Sequence, residues 1–447
     1  MAKSGVAGTT VIKCGMLYDG IHDELFEKRE ILIRENRIEK VGTSVCGDDA
    51  LIIDLSDKTV TPGLIDAHVH LSYFDWREKR KENIFNSPAY KTLAVLRSAQ
   101  KAMARGFTSI RHVGCSSFDG YGSIDVKRTI EKGYFDGPRL MVAPMYLGVN
   151  GGPADHSQAL KTNFMMAEAM RDHYRSIGCG ADFFCNAVRE QQKLGADFIK
   201  VMVSGSFYSP DSDPDMIYFT DEELKAIIET AHSLRMKVTA HVYGPEAMQK
   251  LAKMGIDCME HGALMDAPTV RVIEKCGTVL VPTFFPYDVV ASPNPLPSQD
   301  HQMSFKLAKY AERLKEGRKH ILNSNIKLGY GSDIVFQHNN YDCGNEYSCW
   351  LRSGTDPFRA LKAATSINAE IIGIKDVGRI EEGAYADIAA WNKDILTDHR
   401  ALMDCAFVMR VSIFQARRTT RLLCILRRPL IRHLLQPTPS GRTLTAP

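Results

Sequence analysis

Between residues 61 and 333 the chain alternates two hydrophobic rhythms. Short, almost unbroken apolar runs cover 63–70, 108–114, 139–144, 197–205, 237–244, 256–262, 278–284 and 327–333. Runs of that length and continuity predict strands buried on both faces. Between them apolar residues recur at helical spacing, most clearly over 88–105, 220–234, 245–254 and 303–323. Thr220-Asp-Glu-Glu223 has capping-box spacing, and Pro245 and Pro357 suit the first turns of helices. Eight strand–helix units in succession predict an α/β fold, a parallel (β/α)8 TIM-like barrel over 61–372. A doubly wound open sheet shares this alternation and stays open as an alternative, because periodicity does not prove closure.

The flanks have a different pattern. Residues 10–14, 30–34, 37–41 and 51–55 read as short strands, with Glu35-Asn36 as a turn. A helix over 357–372 is followed by Gly378-Arg-Ile-Glu-Glu-Gly383 and a strand-like stretch over 387–392. Residues 1–60 and 373–410 are therefore expected to pair into a small β-sandwich domain, with the barrel inserted between them. Residues 411–447 fit neither part: they hold seven arginines and no Lys, Asp or Glu. They are expected to be an atypical tail, either disordered or the product of an altered reading frame.

The tail also changes the charge picture. The whole chain carries a formal net charge of +3. Taking the seven tail arginines from the 56 basic residues leaves 49 against 53 acidic ones, a net of −4. A mildly acidic body argues against a nucleic-acid-binding face. Composition is otherwise that of a globular protein, 44% hydrophobic and 24% charged over 447 residues. No apolar run is long enough to span a bilayer, and the first ten residues lack the features of a secretory signal. The 11 cysteines form no Cys-x-x-Cys pair, and there is no Asn-x-Ser/Thr sequon. A cytoplasmic setting is expected, with no membrane partner.

The chemistry lies at the strand ends. His68 and His70 close the first strand, Lys200 lies in the fourth, His241 in the fifth, His261 in the sixth, and Asp333 ends the eighth. In a closed barrel the C-terminal strand ends converge on one mouth. Residues two apart on a strand share a face, so His68 and His70 point the same way. Four imidazoles and a carboxylate in one pocket suit zinc-like divalent cations. As an ammonium, Lys200 would repel a metal. Deprotonated and carboxylated, it becomes a bidentate anion able to bridge two cations. Each residue alone has a plainer reading, as a packed or surface histidine, a snorkelling lysine or a helix-capping aspartate. Those plainer readings require five separate coincidences at strand ends.

These segments also carry a resemblance. Thr61-Pro-Gly-Leu-Ile-Asp-Ala-His-Val-His70 resembles the amidohydrolase superfamily signature. The likeness continues through Ile199-Lys-Val-Met-Val-Ser-Gly205, Thr239-Ala-His-Val-Tyr-Gly244, Met259-Glu-His-Gly262, Gly331-Ser-Asp333 and Ala363-Ala-Thr-Ser-Ile-Asn-Ala369. Within the superfamily it is most similar to the prolidase-related enzymes, which include Xaa-Pro dipeptidase-like enzymes and ochratoxinase. The resemblance implies a site for two divalent metal ions, zinc being expected. His68, His70 and Asp333 would hold one ion and His241 and His261 the other, with carboxylated Lys200 as the bridge. It implies hydrolysis of a peptide-like or N-acyl amino acid amide by metal-activated hydroxide, with Asp333 as catalytic acid and base. Lactone or phosphoester hydrolysis, a tailoring role in secondary metabolism and a catalytically impaired homologue remain as alternatives. His112, Tyr208, Tyr243, Tyr287 and His338 are candidates for touching the substrate. His112 stands where an acidic residue is common in the family. The expected partner is a small-molecule amide, with homo-oligomerisation left open.

Overall fold

The computed structural model describes residues 3–5, 8–72, 86–115, 121–155, 175–207, 209, 212–290, 301–334, 342–414 and 419–426. Its strands are β1 (Lys3–Gly5), β2 (Thr9–Leu17), β3 (Phe26–Glu27), β4 (Glu30–Arg34), β5 (Arg37–Gly42) and β6 (Leu51–Pro62). There follow β7 (Leu64–Val69), β8 (Phe107–His112), β9 (Arg139–Val142), β10 (Gly148–Val149), β11 (Ile177–Gly178) and β12 (Phe198–Met202). The last six are β13 (Lys237–Val242), β14 (Cys258–His261), β15 (Val279–Val281), β16 (Ile388–Trp391), β17 (Cys405–Phe414) and β18 (Thr419–Leu426).

Seven of the eight predicted central strands are present, as two parallel arcs. One arc is β7-β8-β9 and the other β12-β13-β14-β15. Every described residue of β7, β8, β13 and β14 is buried except the exposed Lys237, as near-continuous apolar runs require. Helices alternate with these strands. The helix Asp221–Ser233 opens on the predicted capping box, with Glu223 N–H donating to Thr220 Oγ1 at 3.3 Å and Thr220 N–H to Glu223 Oε2 at 2.9 Å. Its apolar face, Leu224, Ile227, Ile228 and Ala231, enters the main core with Phe184 and Val238.

The eighth predicted strand, 327–333, is not a ladder strand. It touches β15 only through the single bridge Leu280 to Leu328. The reason lies in Tyr330, whose backbone N–H donates to the side chain of Asn368 at 3.1 Å and whose carbonyl accepts from Asn368 Nδ2 at 2.8 Å. Gly331 explains the close fit of this segment: a Cβ there would lie 2.6 Å from His68 Cβ and 2.4 Å from Val281 Cγ1. Single hydrogen bonds replace continuous ladders here, Ala67 N–H to Tyr330 O at 2.9 Å and Asp333 N–H to His68 O at 2.8 Å. The predicted helix over 357–372 is likewise three pieces, Pro357–Lys362, a wide turn over Ala363–Ile367 and Asn368–Ile372. The wide turn leads directly to Asn368, whose Nδ2 also donates to Ile65 O at 2.7 Å.

The flanks meet in one hydrogen-bonded nine-stranded sheet. Its order is β1-β18-β17-β16-β6-β2-β4-β5, with β3 on β2. One link between the two chain ends is the antiparallel pairing of β6 with β16, Ile388 opposite Pro62 and Trp391 opposite Thr59. Ile12, Ile31, Leu55, Val60, Ile388 and Phe407 form its own apolar core. Residues 411–414 complete β17, and β18 pairs antiparallel with both β17 and β1. The rest of the arginine-rich segment lies outside the described residues. No helix among the described residues is long and apolar enough to cross a membrane.

Candidate metal centre

The register of the parallel strands aligns the site. Met202 lies opposite His241 and His241 opposite Glu260, while Lys200 lies opposite Thr239 and Thr239 opposite Cys258. Residues paired across parallel strands share a face, so Lys200, His241 and Glu260 point to one side. His261 follows Glu260 directly, and strict alternation would send it to the other side. It does not go there because the strand ends at this residue, with φ at 70°. Thr283 and Asp333 also take left-handed backbone, with φ of 48° and 41°. That conformation is costly for residues with a Cβ and gathers here at three strand ends.

His68, His70 and Asp333 each offer a ligating atom, and these atoms lie within 4.8 Å of one another. Asp333 Oδ1 is 3.5 Å from both His68 Nε2 and His70 Nε2. The His68 ring centroid is 5.3 Å from that of His70 and 4.9 Å from that of His261. His241 and His261 are 4.6 Å apart by the same measure. Lys200 is 1% exposed, and its charge acts on all four imidazoles and on Asp333. The structure therefore gathers His68, His70, His241, His261 and Asp333 into one buried cluster, with buried Lys200 within electrostatic reach of each.

Each imidazole is tied at one nitrogen. His68 Nδ1 is 2.6 Å from Glu260 Oε2, His70 Nδ1 2.7 Å from Gly114 O, His241 Nε2 3.1 Å from Gly205 O, and His261 Nδ1 2.7 Å from Thr283 Oγ1. Three of those partners are acceptors only, so the tied nitrogen of His68, His70 and His241 carries the proton. The lone pair is then left on Nε2 of His68 and His70 and on Nδ1 of His241. Burial holds every imidazole in the neutral form: His70 and His241 are pushed down to about 3, and His68 and His261 well below their ordinary value. Burial also pushes the Lys200 amine down and the Asp333 carboxyl up. Neutral imidazoles and a lysine whose charge is disfavoured are the forms that metal binding and carboxylation require.

Two buried atoms test whether a cation fits. His68 Nε2 and Lys200 Nζ have no hydrogen-bond partner among the described residues. Buried polar atoms are rarely left unpaired, and a group that engages both atoms accounts for them. The donor set fits zinc-like cations.

The substrate candidates divide. Tyr243 packs its ring against His241 and His261, with centroids 4.7 Å and 5.1 Å away. Tyr287 and Phe207 stand behind it, at 6.2 Å and 4.9 Å from the Tyr243 ring. His112 is buried beside β7, where its Nδ1 accepts the Leu71 N–H at 3.1 Å, and burial lowers it to about 4. That contact ties His112 to the backbone after His70, and its Nε2 has no hydrogen-bond partner among the described residues. Tyr208 and His338 lie outside the described residues.

Sequence reasoning missed the supports. Glu260 and Thr239 lay inside the family-like motifs but stood out only as neighbours of His261 and His241, and Arg111 and Thr283 carried no signal of their own. Asp66 has the same strand parity as His68, and that was the available signal. Its carboxylate accepts the His68 N–H at 3.1 Å and the Ser332 N–H at 3.0 Å, which places the chain on either side of the site. The helix His301–Leu322 adds a further support. Lys306, Lys309, Tyr310 and Arg313 share one helix face and reach the loop after β12, at the carbonyls of Ser206 and Ser212 and the carboxylates of Asp213 and Asp215. The same loop carries Gly205, the partner of His241.

Comparison with known proteins places these features in a family. The model of the amidohydrolase family matches residues 59–415. Ochratoxinase of Aspergillus niger is 25% identical over 432 residues, covering 92% of this chain and 87% of its own. A solved Xaa-Pro dipeptidase with methionine bound in its active site superimposes with a TM-score of 0.79 at 27% identity, over 90% of this chain and 98% of that one. A prolidase complexed with N-methylphosphonate-L-proline gives the same TM-score and coverage at 25% identity.

Proposed function

The chain belongs to the amidohydrolase family, and from that premise we propose that it hydrolyses a carbon–nitrogen bond in a small peptide-like or N-acyl amino acid amide, with a pair of divalent cations, zinc being the metal expected. The observation that carries this reading is the buried cluster in which His68, His70 and Asp333 present ligating atoms beside the paired rings of His241 and His261. The two parallel arcs are read as the wall of one barrel, with this pocket at the C-terminal mouth of its strands.

His68, His70 and Asp333 would hold one cation and His241 and His261 the other, with Lys200 between them as its carbamate. The depressed basicity of buried Lys200 supports that modification. The neutral amine attacks carbon dioxide, a nitrogen–carbon bond forms, and the nitrogen releases a proton to leave a bidentate anion. When bound, a cation pair supplies Lewis acidity and lowers the pKa of water. The chain's own part is to move the proton. Asp333 would take it from the attacking water and return it to the departing amine nitrogen. In the metal-free chain burial raises the Asp333 carboxyl. Tyr243, backed by Phe207 and Tyr287, offers a flat apolar wall beside the second cation position. That wall, together with the named activities of the relatives, favours an amide with a ring on one side.

Metal analysis of the purified protein, combined with a panel of Xaa-Pro, Xaa-Arg and N-aroyl amino acid amides, tests this directly. The expected result is about two equivalents of zinc and turnover of at least one amide. Intact mass should carry the increment of one carbon dioxide, lost on acidification. Metal-free protein that turns over its amide at the full rate would overturn the reading.

A further inference from the structure

The four imidazoles differ in what stands behind them. His70, His241 and His261 are backed by neutral oxygens, those of Gly114, Gly205 and Thr283. His68 is backed by a carboxylate. Glu260 is fully buried, and both its oxygens are engaged: Oε2 faces His68 Nδ1 at 2.6 Å, while Oε1 accepts from Arg111 Nη2 at 2.6 Å and from the Thr239 hydroxyl. Arg111 is also buried, its Nε donates to Ala67 O at 2.6 Å, and its guanidinium lies over the Phe198 ring. Arg111 therefore grips the same stretch of β7 twice, at the Ala67 carbonyl and through Glu260 at the His68 ring.

A buried Arg–Glu pair is expensive to desolvate and is weak as a stabilising device, because apolar residues of the same volume commonly serve as well. Packing alone gives no reason to direct one carboxylate oxygen at an imidazole whose other nitrogen is left without a partner. A carboxylate behind a ligating histidine fixes the ring's tautomer and orientation and increases electron donation from the free nitrogen. We propose that Glu260, braced by Arg111, is a positioning residue that makes His68 the strongest nitrogen donor of the four, so that the cation held by His68, His70 and Asp333 binds more tightly than the one held by His241 and His261. The proposal rests on the two-cation reading above and adds an order of affinity between the sites.

The test uses the full-length chain stripped of metal and titrated with Zn2+ against a chromophoric chelator. Wild type should take up two cations in distinct steps. Glu260→Gln retains the size and the acceptor for Arg111 but loses the carboxylate behind His68. It should weaken the tighter step about 10–100-fold and leave the weaker step unchanged. Equal affinities in wild type and Glu260→Gln would overturn the proposal, as would a loss spread evenly over both steps with a matching fall in Tm. A wild type that binds no zinc would instead remove the two-cation reading itself. Should Glu260→Gln fail to fold, 15N-histidine correlation spectra of metal-free wild type decide the point. His68 should be the Nδ1–H tautomer, and an Nε2–H signal would overturn the assignment.

Discussion

His68 and His261 lie on opposite arcs with their rings 4.9 Å apart, and the chain builds the pocket around each in a different way. The first group, His68, His70 and Asp333, has three ligating side chains and charged backing through Glu260 and Arg111. The second group, His241 and His261, has two and depends on a backbone carbonyl and a hydroxyl to orient them. Three donors with an open position already make a site for a zinc-like ion, whereas two do not. On the two-cation proposal the second position would be completed by Lys200, whose own charge opposes a cation until it is modified. The first site would then need only side chains, the second also carbon dioxide.

That contrast can be broken in stages. Asp333→Asn should have the largest effect, lowering amide turnover about 10²–10⁴-fold through loss of the acid and base. Steady-state rates measured beside metal content check this, and full activity would remove Asp333 from the proton path. Lys200→Met should lose the second cation and retain the first, read as metal equivalents per chain. Because it replaces a buried amine with an apolar side chain, its metal-free form should melt at the wild-type temperature or above. Thr283→Val removes the hydroxyl behind His261. It should weaken only the second cation, by about 10-fold, and a change in the first would contradict the division of the pocket.

Acid should have the smallest effect and should act on the metal-free protein. His70 and His241 have folded values near 3 against an ordinary 6.5, so the unfolded chain binds protons first as the pH falls. The stability tied to their neutral forms is fully present above 6.5 and is lost progressively on the way down to 3. Tm measured between pH 7 and pH 5 should therefore decline, and bound zinc should suppress the decline. A Tm that rises on acidification would contradict the burial of these rings.

Much of this arrangement was legible in the chain. Continuous apolar runs marked β7, β8, β12, β13 and β14, and Thr220 with Glu223 marked a helix start that the structure reproduces atom for atom. The spacing of His68 and His70 was readable because a strand places alternate residues on one face. The same rule hid Glu260, which shares one cluster with its neighbour His261 only because the backbone turns left-handed at His261. The stretch 327–333 misled for a related reason. Its composition is that of a strand, yet a side chain 38 residues away, Asn368, takes the Tyr330 backbone N–H that a ladder would have used.

By itself the sequence determined the periodicities, the caps and the supply of imidazole, amine and carboxylate groups at strand ends, since these depend on residues close together along the chain. It could not say which nitrogen of each imidazole stays open. That is decided by the atom behind it, and for His68 that atom belongs to Glu260, 192 residues away. Nor could it say that the Lys200 amine would be pushed down, because that follows from burial, which only the tertiary fold creates. Local physics supplied the donors. Burial and register, which exist only once the strands have met, decided what those donors can bind.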